Sequence, residues 1–154
     1  MNVKTRYMLL TFFAVLSISP YLVQSILDYR ANHFSCGGRI DFSDTRRNYS
    51  VQVKYTFDGG TGEVTTLGEY SEAGKMSRRL SQQLLFDYTY HGGEFVMLST
   101  SSALSDTQAR MLNTLVPDFY LYKDRGFRIR IYHQGDNGYV FTTYGVPVFI
   151  CTKS

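Results

Sequence analysis

The residues best suited to chemistry are few and far apart. The three histidines, His33, His91 and His133, stand singly, without the H-E-x-x-H spacing that places two imidazoles on one metal ion. The serines lack the G-x-S-x-G surroundings of a nucleophile elbow. We therefore predict a protein that is not an enzyme, with no catalytic residue, no metal site and no cofactor.

The two cysteines have a more definite meaning. Cys36 and Cys151 stand near the two ends of the segment that follows an N-terminal apolar run, and they form no C-x-x-C motif. This spacing argues against a thioredoxin-like or zinc site. In an exported domain, such a pair predicts a disulfide that ties the ends of the domain together. The alternative is two unpaired, buried thiols.

Aromatic side chains are the second candidate for function. The chain has 13 Tyr and 11 Phe but no Trp. On strand faces such residues usually form the core. The alternative is an apolar cavity that holds one small ligand, as small barrels can. Its predicted lining residues are Tyr55, Phe57, Phe86, Tyr88 and Phe141.

Two features near the C-terminus concern the outer surface of the fold. Arg128 and Arg130 share one face of a predicted strand. Turned inward they would hold an anionic head group; turned outward, which we favour, they are solvated. Pro147 has no backbone N–H to donate and therefore predicts an edge or a bulge in the final strand.

The elements that position these residues are mostly strands. Residues 51–57 alternate apolar and polar side chains, the pattern of a strand with one buried face. One helix is expected between Ser105, an N-cap with Gln108 as its capping-box partner, and Pro117, which ends it. We predict a mainly β fold of six or seven antiparallel strands, forming a curled sheet or a small lipocalin-like barrel with one helix.

The N-terminus carries a long run without charge. Residues 7–27 contain no Asp, Glu, Lys or Arg and as a helix would span roughly 30 Å, the thickness of a bilayer core. Lys4 and Arg6 precede the run and favour retention of the N-terminus on the cytoplasmic side. We predict a cytoplasmic N-terminus at 1–6, a transmembrane anchor at 7–27, a linker at 28–35 and a periplasmic β-rich domain at 36–154.

A cleaved signal peptide is the alternative to an anchor. The most apolar stretch, 8–18, has the length of a signal h-region. Pro20 interrupts the run, and Val23-Gln24-Ser25 is an acceptable cleavage site, which would give a mature protein beginning at Ile26. Both interpretations deliver the domain to an oxidising compartment.

The charge balance bears on the choice of partner. All 13 acidic residues follow the apolar run, and two of the 16 basic residues precede it, which leaves 14 bases against 13 acids in the exported part. Such a balance is not the basic footprint of a nucleic-acid-binding domain. We expect no direct contact with nucleic acid.

Three short motifs carry a resemblance to a known family. They are GKMS at 74–77, PDF at 117–119 and VPVFIC at 146–151. Together with the N-terminal run, they resemble the FidL-like family of small inner-membrane proteins of enteric bacteria, and more distantly ToxS and VtrC. The resemblance implies a partner, a membrane-bound transcription regulator of the ToxR kind, and it supplies no catalytic residues.

These observations lead to one expected function and one alternative. We expect a single-pass protein of the bacterial inner membrane whose periplasmic domain binds and modulates a ToxR-like regulator, together with a small apolar ligand. The alternative is a periplasmic carrier of a small apolar ligand, released by signal cleavage.

Overall fold

The computed structural model describes residues 3–153, so residues 1–2 of the predicted cytoplasmic segment and Ser154 of the predicted periplasmic domain lie outside it. The helices are α1 (Val3–Asn32), α2 (Asp106–Leu112) and α3 (Asp118–Leu121). The strands are β1 (His33–Ser43), β2 (Arg47–Asp58), β3 (Thr61–Glu72), β4 (Arg78–His91), β5 (Glu94–Ser102), β6 (Gly126–Gln134), β7 (Gly138–Thr143) and β8 (Val146–Lys153).

Helix α1 stands apart from the rest of the fold. It is 30 residues long, which corresponds to about 45 Å at 1.5 Å per residue, and it continues through Pro20. The segment Tyr7–Asn32 is long and apolar enough to cross a membrane. Side chains at positions 7–30 are all exposed, so their apolar surface has no cover within the described part of the chain.

The structure corrects the predicted linker at 28–35. Helix α1 continues to Asn32, and β1 begins at the next residue, His33. The Asn32 carbonyl accepts hydrogen bonds from the Gly59 N–H at 3.0 Å and from the Tyr88 hydroxyl at 2.9 Å. His33 stacks on the Tyr29 ring at 3.9 Å between centroids. The helix therefore runs directly into the first strand of the barrel, with no loop residue between them.

The eight strands form a closed antiparallel barrel in chain order, with β8 returning to β1. The predicted mainly β, barrel-like fold is confirmed, with eight strands in place of six or seven. The additional strand is β1, which pairs along its whole length with β2, from His33↔Asp58 to Ser43↔Asn48. Sequence alternation in β2 is confirmed as well, since Val51, Val53, Tyr55 and Phe57 all point into the core.

The interior of the barrel has two different halves. We call the end next to α1 the proximal end and the end at the β1–β2 turn the distal end. The proximal half is filled by packed aromatic rings, among them Phe34 on Phe57 at 4.7 Å, Phe34 on Tyr139 at 4.5 Å and Phe57 against Phe95 at 5.1 Å. The distal half is hollow.

Helices α2 and α3 close the gap between β5 and β6. The capping box of Ser105 and Gln108 is present as predicted. The predicted single helix up to Pro117 is wrong, because α2 ends at Leu112 and α3 forms separately. Thr114 adopts a left-handed conformation with φ of 72°, which a helix does not tolerate, and the Arg47 guanidinium binds the Asn113 carbonyl there at 3.3 Å.

The barrel closes along a weak seam. Strands β1 and β8 pair only at Cys36↔Lys153 and Gly37↔Thr152. The predicted disulfide joins Cys36 to Cys151 at this point, with Cα atoms 5.5 Å apart. Beyond the disulfide, no ladder within the described residues pairs 38–43 of β1 with 146–150 of β8. The Phe149 ring and the Ile150 carbonyl nevertheless pack closely against Gly38. Pro147 lies on this edge, opposite Thr142 and next to a register shift in β7, as predicted.

Candidate functional site: an apolar cavity in the barrel

The hollow distal half forms a cavity of about 420 Å³. Every strand except β5 contributes to its wall, and its cover comes from α2, α3 and the segment between them. The wall is almost entirely apolar, with Ile40, Val51, Val53, Leu112 and Val116 among its members. This volume lies within the range of about 300–1,000 Å³ that small-molecule sites occupy.

The structure divides the five predicted lining residues between the two halves of the barrel. Tyr55 and Phe141 border the cavity. Phe57, Phe86 and Tyr88 lie in the proximal core, where Phe57 packs edge-on against Phe86 at 5.5 Å and against Tyr88 at 5.2 Å. All five point inward. The position of each residue along the barrel axis decides which of them can reach a ligand. The alternation of apolar and polar residues in the sequence does not reveal this position.

Several lining residues escaped the sequence prediction. Ile40 and Phe42 belong to β1, a strand that was not recognised, although their i, i+2 spacing was the available signal. Leu112 and Val116 lie in the segment that was expected to form one helix, and their side chains belong to the apolar face that covers the cavity. What the sequence does not show is that this face covers a cavity instead of packing on solid core.

Three polar side chains at the cavity, Tyr55, Tyr120 and Gln82, each have a hydrogen-bond partner within the protein. The hydroxyls of Tyr55 and Tyr120 lie 2.6 Å apart in a hydrogen bond. The Gln82 amide donates to the Ser102 hydroxyl at 3.2 Å and to the Tyr120 carbonyl. Burial raises the pKa of Tyr120 to about 12, and burial, with the Tyr120 phenol beside it, raises the pKa of Tyr55 well above its usual value. Both phenols are therefore neutral at physiological pH.

Two threonine hydroxyls at the cavity lack a hydrogen bond of normal geometry among the described residues. Thr66 and Thr143 both border it, and within residues 3–153 neither Oγ1 atom makes a hydrogen bond of normal geometry although both are buried. The Thr66 hydroxyl lies beside the Tyr49 phenol and lowers its pKa, against the larger upward effect of burial. A buried hydroxyl without a hydrogen-bond partner lowers the stability of the fold by roughly 1–3 kcal/mol. Both hydroxyls could therefore form a favourable hydrogen bond with a ligand.

The charged groups of the barrel lie outside the cavity. Arg128 and Arg130 point to solvent, as favoured from the sequence, and face the carboxylate of Glu94 at 4.0 and 3.8 Å. Near the end of α2, Arg47 is engaged by Asp44 at 3.0 Å and by the Thr114 hydroxyl at 2.9 Å. Among the described residues that line the cavity, none carries a formal charge.

Metal binding finds no support in the arrangement of side chains. In residues 3–153, no three His, Cys, Asp or Glu side chains are grouped so that they could hold a metal ion. The two cysteines are joined to each other and have no free thiolate. What the site offers is a partly open apolar cavity with a few neutral polar groups.

These features define a class of protein: an eight-stranded antiparallel barrel with an internal apolar cavity, preceded by a helix that is long enough to cross a membrane. Comparison with known protein families assigns the chain to one family. The chain belongs to the YqeJ C-terminal domain family, which matches residues 35–151. No curated protein and no solved structure matches the chain.

Proposed function

We propose that this protein is a membrane-anchored accessory protein whose barrel lies on the periplasmic side, binds and modulates a ToxR-like transcription regulator, and takes up a small apolar ligand. The observation that carries the ligand-binding part is the apolar cavity of about 420 Å³. A core of this size that served stability alone would be filled, because protein interiors pack to the density of organic crystals.

The anchor and its orientation rest on α1 and its flanks. Lys4 and Arg6 precede the apolar segment, and basic residues are retained on the cytoplasmic side of a membrane helix. The barrel would then lie outside the cytosol, where the Cys36–Cys151 disulfide is stable. The absence of a linker means that the barrel would stand directly on the membrane with its proximal end.

The partner is proposed from the FidL-like resemblance, and the seam offers a route for binding it. The unpaired backbone edges at 38–43 and 146–150 can accept a strand from another chain. Three apolar side chains on the β8 edge, Val146, Val148 and Ile150, are each more than half exposed. Anchoring both proteins in one membrane would raise their effective concentration and favour such pairing.

The test of ligand uptake uses the full chain, kept soluble in a fluorinated surfactant whose chains mix poorly with hydrocarbons. The neutral probe N-phenyl-1-naphthylamine becomes fluorescent in apolar surroundings and is titrated into the protein. We expect saturable binding at one site. Val53→Phe, which fills the cavity from β2, is expected to reduce probe affinity at least tenfold.

The control is Val96→Phe, the same change on the outer face of β5, which should leave binding unchanged. A second filling variant, Val116→Phe in the cover, guards against misfolding of the first. The ligand-binding proposal fails if the wild-type protein does not take up the probe, or if both filling variants fold and bind it as the wild type does.

A further inference from the structure

We propose that the cavity selects neutral ligands: a mainly apolar molecule that carries a hydroxyl or carbonyl group, in preference to a carboxylate, sulfonate or ammonium compound. Thr143 is the residue that we assign to the ligand's polar group. This inference rests on the proposed function, in which the cavity holds a ligand.

The absence of charge in the wall is the first observation. None of the described lining residues is charged, and the nearest candidates are turned away or occupied. Arg128 and Arg130 lie on the outer face with Glu94. Arg47 is bound to Asp44 and to the end of α2. An ion moved from water into this wall would lose its hydration without gaining a counter-charge, which is a large free-energy cost.

The second observation is that the polar groups of the wall differ in whether they already have a hydrogen-bond partner in the protein. Tyr55 and Tyr120 are bonded to each other, and the Gln82 amide is bonded to Ser102 and to the backbone. Burial holds the pKa values of both phenols high, so neither becomes an anion that could attract a cation. The Gln82 amide is therefore in use, and each phenol already has a hydrogen-bond partner, although the accepting phenol keeps one O–H proton.

Thr143 differs from them. It borders the cavity, and its hydroxyl is buried without a partner in the described structure. A threonine hydroxyl both donates and accepts, and rotation about χ1 between staggered positions turns it from one side of the residue to another. A hydroxyl or carbonyl on a ligand would satisfy it. Thr66 has the same deficit, but its hydroxyl lies beside Tyr49, which leaves Thr143 as the more available group.

The position of Thr143 fits this role. It pairs with Val146 at the distal end of β7, where the β7–β8 turn meets the open part of the seam. A ligand with its apolar body among Val51, Val53 and Phe141 would present its polar end to this threonine.

The experiment displaces N-phenyl-1-naphthylamine from the full-length protein with three compounds of equal chain length: 1-decanol, decanoate and decyltrimethylammonium. We expect 1-decanol to displace the probe with an apparent Kd at least tenfold lower than either ion. Thr143→Val keeps the shape of the side chain and removes the hydroxyl. It is expected to weaken 1-decanol about fivefold, the loss typical of one hydrogen bond, once any change in the affinity of the probe itself has been measured and allowed for.

The matched control is Thr89→Val on the exposed face of β4, which should change nothing. Displacement by decanoate or decyltrimethylammonium as strong as that by 1-decanol would overturn the inference and leave ligand binding itself intact. An unchanged affinity of 1-decanol for the Thr143→Val protein would overturn the role of Thr143. Failure of the wild-type protein to bind the probe would overturn both this inference and the ligand-binding part of the proposed function.

Discussion

At the scale of single residues, the interior of this barrel is built to keep polar groups neutral. The hydroxyls of Tyr55 and Tyr120 lie 2.6 Å apart in a hydrogen bond at the cavity. One phenol donates its proton to the oxygen of the other, and an ionised phenol would be costly there. The pair therefore favours the protonated form of both side chains.

This arrangement predicts how stability depends on high pH. The pKa of Tyr120 is raised from 10.0 to about 12, so the folded protein holds this proton after the unfolded chain has lost it. The Tyr120 contribution is complete below about pH 10 and is lost as pH rises from 10 to 12. We expect a decrease of roughly 2–3 kcal/mol in the free energy of unfolding from Tyr120 alone, measured by urea denaturation at several pH values.

Phenolate absorbance provides the check on that prediction. At pH 11 the folded protein should show fewer ionised phenols than the same protein in denaturant, because Tyr55 and Tyr120 stay protonated until the barrel opens. Tyr120→Phe removes one of these groups and leaves the Tyr55 hydroxyl without its partner. Equal phenolate absorbance in folded and unfolded wild-type protein at pH 11 would contradict the upward pKa shifts of both phenols.

At the scale of elements, the weakest joint of the fold is the one between its first and last strands. Strands β1 and β2 pair over eleven positions from His33 to Ser43, whereas β1 and β8 pair at only two. The disulfide lies at this short contact and supplies the closure that the ladder does not. Gly38 permits the Phe149 ring to approach the β1 backbone, since a Cβ there would stand 2.7 Å from the ring.

We predict that this disulfide carries a large share of the barrel's stability. The loop between Cys36 and Cys151 is 115 residues long, so its removal should cost about 2–5 kcal/mol. Urea denaturation of the Cys36→Ser/Cys151→Ser variant is expected to show a lower midpoint, and the amides of Gly37 and Thr152 should exchange faster with deuterium. A reducing agent should lower the wild-type midpoint and leave that of the variant unchanged; equal midpoints with and without reductant would refute the prediction.

At the scale of the whole molecule, the direct junction of α1 with β1 is the feature with most consequence. The Asn32 carbonyl joins the end of the helix to the β2–β3 turn and to Tyr88 in β4. A change at the base of the barrel would therefore reach the helix through packed and hydrogen-bonded groups. A proposed accessory of a membrane-bound regulator would benefit from such a rigid connection, because the partner's own helix would lie in the same membrane.

The partner proposal makes a prediction at this scale. A photo-crosslinking amino acid in place of Val148, on the open β8 edge, should capture a single-pass membrane protein with a cytoplasmic DNA-binding domain. The matched control is Leu67 on the outer face of β3, which has a similar exposed fraction, 58% against 52% for Val148. Capture of the same partner from both positions would argue against binding at the seam.

The alternative of a free carrier predicts a different result from the same cells. The protein would then be recovered in the soluble periplasmic fraction, its N-terminus would begin at Ile26, and no regulator would be crosslinked. Recovery in the membrane fraction with the α1 sequence intact would contradict the carrier.

Local sequence determined a large part of this protein. The charge-free run at 7–27 predicted a helix, the alternation in β2 predicted its buried face, and Ser105 with Gln108 predicted the start of α2, each confirmed by the structure. These features depend on side-chain periodicity and capping, which act between residues a few positions apart. The placement of the two cysteines also predicted their bond correctly.

Only the tertiary structure decided where the cavity lies. Tyr55 and Phe57 are adjacent inward positions of one strand, yet Tyr55 borders the cavity and Phe57 lies in solid core. Period-two alternation gives the side of the sheet on which a residue lies, whereas its surroundings depend on strand register, barrel closure and the helices that cover the end. Because these are set by contacts between residues far apart in the chain, no local pattern in the sequence encodes them.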